Sequence, residues 1–292
     1  MKPRYPVYVI SKGRHDCCLT ARFLLKDRTP FKLVIEPQEL DLYTKEFDRN
    51  FILTLPFSNL GMGSIPARNW VWEHAKAAGY ERHWIIDDNI YWMARMYKGR
   101  RIPCNSSIAL GVTEDFIDRY ENIAIGGLNY YMFVMAGTKY PFVPNAHVYS
   151  CLLIRNDLPY RWRGRYNEDT DICLQVLSGG WCTVLMNAFM VKKVVTMQMK
   201  GGNTAQLYQG DGRLKMARSL ERQWPGVVTT QRRFQRPQHV IKGSWKYFDT
   251  PLKLKPEGER KQYEGKDYGI TLTAVKPIKN PALRQLLAEQ TS

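Results

Sequence analysis

Two acidic clusters carry the chemistry available to this chain. The first lies in His83-Trp84-Ile85-Ile86-Asp87-Asp88-Asn89-Ile90, where an apolar run gives way abruptly to two carboxylates and an amide. Such a run reads as a buried strand that ends by presenting acids at its carboxyl edge. Open α/β sheets bind their ligands at that edge. Adjacent aspartates repel, so a fold that keeps both must neutralise them with a cation or with basic side chains. A divalent ion, Mg²⁺ or Mn²⁺, is the economical choice, because it takes one or two carboxylates and completes its shell with water and substrate phosphates. Asp87, Asp88 and Asn89 are the candidate ligands. A capped turn, with Asp or Asn starting the next helix, accounts for the same residues.

The second cluster, Glu168-Asp169-Thr170-Asp171, opens an amphipathic run that stops at Gly179-Gly180. Acids at a helix start satisfy orphan amides and the helix dipole. Three carboxylates within four positions exceed what a cap requires. Asp171 falls on a different face from Asp169 and supports the site or caps the helix.

The elements that must position these acids are legible as a strand and helix alternation. Tyr5 to Ile10 is a β-branched and aromatic strand, broken by Ser11-Lys12-Gly13-Arg14. There Ser11 and the Gly13 backbone can approach a phosphate or ribose, with Lys12 and Arg14 supplying charge. A helix over Cys17–Lys26 leads to a strand over Phe31–Ile35, which ends at Glu36, an acid placed to accept from ribose hydroxyls or a base edge, or simply a turn acid before Pro37. A third strand, Phe51 to Pro56, is followed by Ser58-Asn59-Leu60-Gly61-Met62-Gly63-Ser64 and a helix from Ala67 to Ala78. Arg68 sits in its first turn, within reach of a diphosphate. Further on, the patterns predict a helix over Thr113–Tyr120, strands over Ile123–Leu128, His147–Ile154 and Val191–Met197, and a helix from Arg213 to Gln223 stopped by Trp224-Pro225-Gly226. His147 reads either as a ligand donor or as a satisfied structural histidine. This order argues a parallel sheet with short crossover helices.

The balance of 43 Lys and Arg against 27 Asp and Glu leaves a formal charge of +16. Such an excess points to a polyanionic partner, nucleic acid foremost, or else to a generic basic surface. No apolar run approaches the roughly 18 residues of a membrane helix, and the first residues lack the apolar core of a signal peptide. A cytoplasmic, non-membrane protein is expected. The six cysteines form no CxxC pair, which leaves disulfide and metal-finger readings weak.

Taken together, Val9-Ile10-Ser11-Lys12-Gly13-Arg14, Gly61-Met62-Gly63-Ser64-Ile65-Pro66-Ala67-Arg68-Asn69 and Trp84-Ile85-Ile86-Asp87-Asp88-Asn89 resemble the front half of a GT-A nucleotide-sugar glycosyltransferase. More narrowly, they look like the TET/JBP-associated glycosyltransferases of bacteriophages, over roughly residues 5 to 220. The resemblance implies a GT-A-like, Rossmann-type α/β fold with a mixed, mostly parallel sheet flanked by helices and a C-terminal extension. It implies sugar transfer from a nucleotide-sugar donor, expected to be UDP-linked, to 5-hydroxymethylcytosine or 5-hydroxymethyluracil in DNA, in the host cytoplasm. By this resemblance Ser11, Lys12, Arg14, Glu36, Asn59, Arg68 and Asp87 contact the donor, and Asp87, Asp88 and Asn89 hold the metal. Asp169, or failing it Glu168, removes the acceptor proton. GT-A relatives commonly carry a histidine downstream as a third metal ligand; none occurs here between His147 and His239, so Gln198, Asn203 or water takes that place.

For the acceptor, Arg100 and Arg101 follow an aromatic and methionine-rich stretch (Tyr91, Trp92, Met93, Met96, Tyr97) able to clamp an extruded base or to pack in the core. Arg161, Arg163 and Arg165 precede the second acidic cluster and can position DNA phosphates or sit solvated on the surface. A composition shift separates a domain of residues 1–228 from a basic extension, 229–292, expected to pack on that core, with short strands expected around Tyr268–Val275. The rival readings are a protein or polysaccharide acceptor and, outside this class, a two-aspartate metal nuclease or a nucleic-acid-binding protein.

Overall fold

The computed structural model describes residues 2–194, 212–233 and 235–266. The expected ligands Gln198 and Asn203, the end of the strand near Met197 and the strands near Tyr268 to Val275 lie outside the described residues.

Ten strands form one mixed sheet in the order β3-β2-β1-β4-β9-β7-β10-β5-β6, with β8 paired to β10. One half is parallel: β1 (Val7–Ile10) lies between β2 (Lys32–Ile35) and β4 (Arg82–Asp87), and β3 (Ile52–Thr54) flanks β2. The other half contains β5 (Ile90–Tyr97), β6 (Arg100–Cys104), β7 (Ile123–Tyr130), β8 (Phe142–Pro144), β9 (Cys151–Arg155) and β10 (Cys182–Lys193). Here β9 runs antiparallel to β4 and β7, while β10 is parallel to β7.

Both faces of the sheet are covered, which is why its strands are continuous apolar runs rather than alternating ones. Val7, Val9, Leu33, Ile35, Trp84 and Ile86 pack on one face with helices α1 (Leu19–Lys26) and, beyond the short α2 (Leu40–Tyr43), α4 (Ser106–Ile117). Tyr8, Val34 and Ile85 point to the other face, onto α3 (Ile65–Ala77), α5 (Glu168–Ser178) and α6 (Gly212–Gln223). Two tryptophans anchor the faces, each with its indole N–H satisfied: Trp72 donates to the Asn156 carbonyl and Trp84 to Glu114. Burying a side chain of this size contributes roughly 2–3 kcal/mol.

Three elements start four or more residues away from the sequence expectation. The helix expected from Thr113 begins at Ser106, because Asn105 caps it by accepting from the Ser107 N–H. Thr113 turns its hydroxyl back onto the Ala109 carbonyl in mid-helix, and Glu114 is a buried acceptor for the Trp84 indole N–H. Strand β9 starts at Cys151, after Ser150 in a left-handed conformation ends the loop that carries His147. Strand β10 starts at Cys182, nine residues before the expected Val191.

The composition break at residue 229 falls inside β11 (Val228–Arg233), which pairs with β12 (Arg236–Ile241). Val228, Ile241 and Phe248 join the core cluster of α3 and α5. This part of the extension is built into the same core as the preceding domain.

Candidate functional site

The carboxyl ends of β1, β2 and β4 and the start of α5 converge on a cavity of about 390 Å³. Ser11, Lys12, Arg14, Glu36, Arg68, Asp87, Asp88, Asn89, Glu168 and Asp169 all line it, so the structure brings both acidic clusters together. Strand β4 delivers the first. Its end is clamped by Thr20 of α1, whose backbone N–H donates to the Asp88 carbonyl while its hydroxyl accepts from the Ile90 N–H. Asp88-Asn89 is therefore a tight turn into β5, not the cap of a helix.

The two aspartates meet different partners. Asp88 is buried; one of its oxygens accepts from Ser11 Oγ at 2.6 Å and the other from Arg14 Nη1. Burial pushes Asp88 upward against the pull of Arg14 and Ser11, and the Asp87 charge adds to the rise. Asp87 is more open to the cavity. Its Oδ1 accepts from Arg68 Nη2 at 3.3 Å and its Oδ2 from Lys193 Nζ at 3.1 Å. Burial would raise its pKa too, but Lys193 and Arg68 outweigh it and hold Asp87 below the usual carboxylate range.

Arg68 links the clusters. It is buried, its Nε donates to Ser64 Oγ at 3.2 Å and lies 3.6 Å from Glu168 Oε1, and its guanidinium covers the Trp162 ring at 4.6 Å. Its Nη1 is buried without a hydrogen-bond partner among the described residues. An unsatisfied buried guanidinium nitrogen costs free energy until an acceptor arrives, which is the property an anion site needs. The loop before α3 permits close approach: Gly61 and Gly63 adopt φ of 70° and 63°, conformations that side-chain-bearing residues rarely take.

At the rim, Lys12 Nζ donates to Glu36 at 2.7 Å and to Asn59 Oδ1 at 3.0 Å, and the Asn59 N–H also donates to Glu36 at 3.0 Å. Burial acts to raise Glu36, but Lys12, Gln38 and Asn59 prevail and hold it low, so it presents an ionised acceptor.

In the second cluster, Asn167 takes a left-handed conformation with φ of 54° and starts α5, setting Glu168 and Asp169 side by side. Burial raises Glu168, and the adjacent Asp169 charge adds to this against the pull of Arg68. Asp169 goes the other way: His147, with Nε2 3.5 Å from Asp169 Oδ1, and Arg68 overcome the burial and hold it well below the carboxylate range. The pair thus splits into one acid biased toward its neutral form and one kept ionised, a separation that marks acid and base assignments. Asp171 is buried and structural, accepting from Arg163, Gln175 and Trp224.

Several contributors escaped the sequence reading. Lys193, Ser150, Tyr130 and His239 line the cavity with His147. His147 stacks on Trp245 at 5.5 Å, and burial together with His147 keeps His239 below its usual range. Trp245 and His239 come from the segment expected to be an appended extension, and no short motif marks them. Of the expected DNA contacts, Arg101 is drawn to the Tyr131 and Val134 carbonyls, Arg161 to Glu73 and Arg163 to Asp171. Arg100 and Arg165 are exposed.

As arranged, the side chains do not fit a divalent ion. Both oxygens of Asp88 and both of Asp87 already accept from protein donors, three of them cationic. Asn89 keeps a buried Oδ1 without a partner, a single neutral oxygen, and among the described residues no three of His, Cys, Asp and Glu group as a metal set. No helix among them is long and apolar enough to cross a membrane.

A covered α/β sheet with its charged cavity at the carboxyl ends of parallel strands defines a Rossmann-like protein of the GT-A type. A family model described as TET-Associated Glycosyltransferase matches residues 5–202, more than half of the chain. The protein belongs to that family and is a glycosyltransferase. No curated protein matches the chain.

Proposed function

We propose that the protein transfers a sugar from a nucleotide-sugar donor to the hydroxyl of a 5-hydroxymethylpyrimidine in DNA. The observation that carries this reading is the single cavity in which Arg68 bridges the two acidic clusters, bonded to Asp87 and 3.6 Å from Glu168. Arg68 and Lys193 receive the diphosphate, Glu36 with Lys12 and Asn59 receives the nucleoside, and Asp169, which lines the same cavity, takes the acceptor proton. In the reaction the acceptor oxygen bonds to the anomeric carbon as its proton passes to Asp169. The bond from that carbon to the diphosphate breaks, and its electron pair leaves with the diphosphate oxygen. Fixed positive charge aimed at that oxygen lowers the barrier without reorganisation.

For the acceptor, an adjoining pocket shares Tyr130, Asn167, Lys193 and His239 with the cavity and is walled by Met132, Phe133, Arg213 and Arg236. Exposed apolar side chains beside arginines suit an extruded base and its backbone, and the net charge of +16 suits a polyanion. The test is incubation with a panel of nucleotide sugars and DNA containing 5-hydroxymethylcytosine or 5-hydroxymethyluracil, read by nucleoside mass spectrometry. A mass gain equal to one sugar residue is expected. No gain with any donor, alongside transfer to a protein or polysaccharide, would overturn the DNA acceptor.

A further inference from the structure

We infer that Lys193 occupies the place of the divalent ion, so that the departing diphosphate is held by protein cations alone. This rests on the reading of the cavity as a nucleotide-sugar site.

The backbone delivers Lys193 deliberately. The register of β10 against β5 shifts between Lys192 and Lys193, and a bulge of this kind re-aims a side chain. Lys192 turns outward over the Trp92 and Tyr131 rings, whereas Lys193 turns into the cavity. The next residue is tied to the acidic turn, since the Val194 N–H donates to the Asn89 carbonyl at 3.0 Å. Lys193 Nζ is thereby fixed between Asp87 Oδ2 at 3.1 Å and Ser150 Oγ at 2.8 Å, and lies 5.2 Å from the centre of the Tyr130 ring.

This ammonium and a metal compete for the same carboxylate oxygen. An ion bound to Asp87 Oδ2 at about 2.1 Å would sit no further than about 5 Å from Nζ, which is itself 3.1 Å from that oxygen. Arg68 occupies the other oxygen of the same carboxylate, and Arg14 and Ser11 occupy Asp88. Lys193 therefore supplies the positive charge that a metal would bring, next to Arg68 with its open Nη1. During transfer the ammonium stays protonated and donates a hydrogen bond to the leaving oxygen as that oxygen gains the electron pair of the broken sugar bond.

Titration calorimetry with inorganic pyrophosphate and with UDP, each in EDTA and in Mn²⁺, tests this on the intact chain. Expected are dissociation constants in EDTA within about threefold of those in Mn²⁺. Lys193→Met is expected to weaken binding in EDTA roughly 10- to 100-fold, and Lys193→Arg to restore most of it. Binding that requires Mn²⁺, or a Lys193→Met protein that binds in EDTA like the unaltered one, overturns the inference and leaves the glycosyltransferase reading standing. The EDTA and Mn²⁺ comparison needs no variant, so a poorly folded Lys193→Met protein does not decide the matter. Absence of binding by pyrophosphate and by every nucleoside diphosphate in both buffers removes the donor site itself, and this inference with it.

Discussion

His147 Nε2 lies 3.5 Å from Asp169 Oδ1, and the same nitrogen lies 3.3 Å from Thr170 Oγ1. The histidine ring stacks almost parallel on Trp245, at an interplanar angle of 8°. A half-buried carboxylate kept ionised needs a partner that stabilises its charge, and the imidazolium form of His147 supplies one.

A pH profile follows from that contact. Asp169 is active when ionised and its pKa is depressed, so kcat/KM is expected to stay level down to the bottom of the ordinary carboxylate range and to fall only below it. His147→Gln removes the first of the groups that oppose burial, so the pKa of Asp169 rises and the acid limb moves to higher pH. Asp169→Asn is expected to lower kcat by roughly 10²- to 10⁴-fold at every pH. An acid limb that stays in place in His147→Gln would show that the histidine does not tune the base.

Arg68 yields a prediction about geometry as much as charge. One guanidinium serves Asp87, Ser64 and the Trp162 face while offering Nη1 to a ligand. Lysine carries the charge but neither the fork nor the planar stack. Arg68→Lys is expected to weaken UDP binding about tenfold, and Arg68→Ala about a hundredfold, by calorimetry. In both, kcat should fall as well, because Arg68 holds Asp87 and neighbours Glu168. Equal binding by Arg68→Lys and the unaltered protein would place the diphosphate elsewhere.

What could be read beforehand depended on whether one segment carried the whole signal. β4 and the acidic turn were legible because Trp84 to Ile86 are buried on both faces and Asp87 follows at once. α5 was legible because its acids and Gly179 bracket it. Lys193 was not, since a lysine in a strand points outward by default and only the bulge beside Lys192 turns it in. His147, His239 and Trp245 are brought together by tertiary packing across about a hundred residues. Arg161 and Arg163 looked like a nucleic-acid patch because Trp72 lies some ninety residues away from Arg161, and because only the fold turns Asp171 of the neighbouring acidic cluster back onto Arg163.

His83 gives a stability prediction independent of catalysis. It is a fully buried residue of β4, and burial holds its pKa down at about 4 despite a hydrogen-bonding contact with Asn156. The unfolded chain binds a proton near pH 6.5 and the folded one does not until about pH 4. Between these values the unfolded state holds more protons, so stability falls as pH falls, by about 3 kcal/mol across the window. Urea unfolding at pH 7, 5.5 and 4 should show this loss, and His83→Gln should show a pH dependence shallower by about that amount. Parallel curves for the two proteins would mean that His83 titrates normally.

The acceptor face separates stacking from charge. Phe133 is 59% exposed and packs edgewise or tilted against Tyr149 and Tyr130, while Arg236 lines the same pocket from β12. A base stacked on Phe133 contributes affinity without releasing counterions, whereas an arginine on a phosphate releases about one. With duplex DNA containing 5-hydroxymethylcytosine, Phe133→Ala is expected to weaken binding about tenfold and leave the slope of log Kd against log salt unchanged. Arg236→Ala is expected to weaken it moderately and reduce that slope by about 1. Anisotropy titrations at several salt concentrations distinguish the two. If both variants bind DNA like the unaltered protein, the nucleic acid approaches from another face and the base does not enter beside Tyr130.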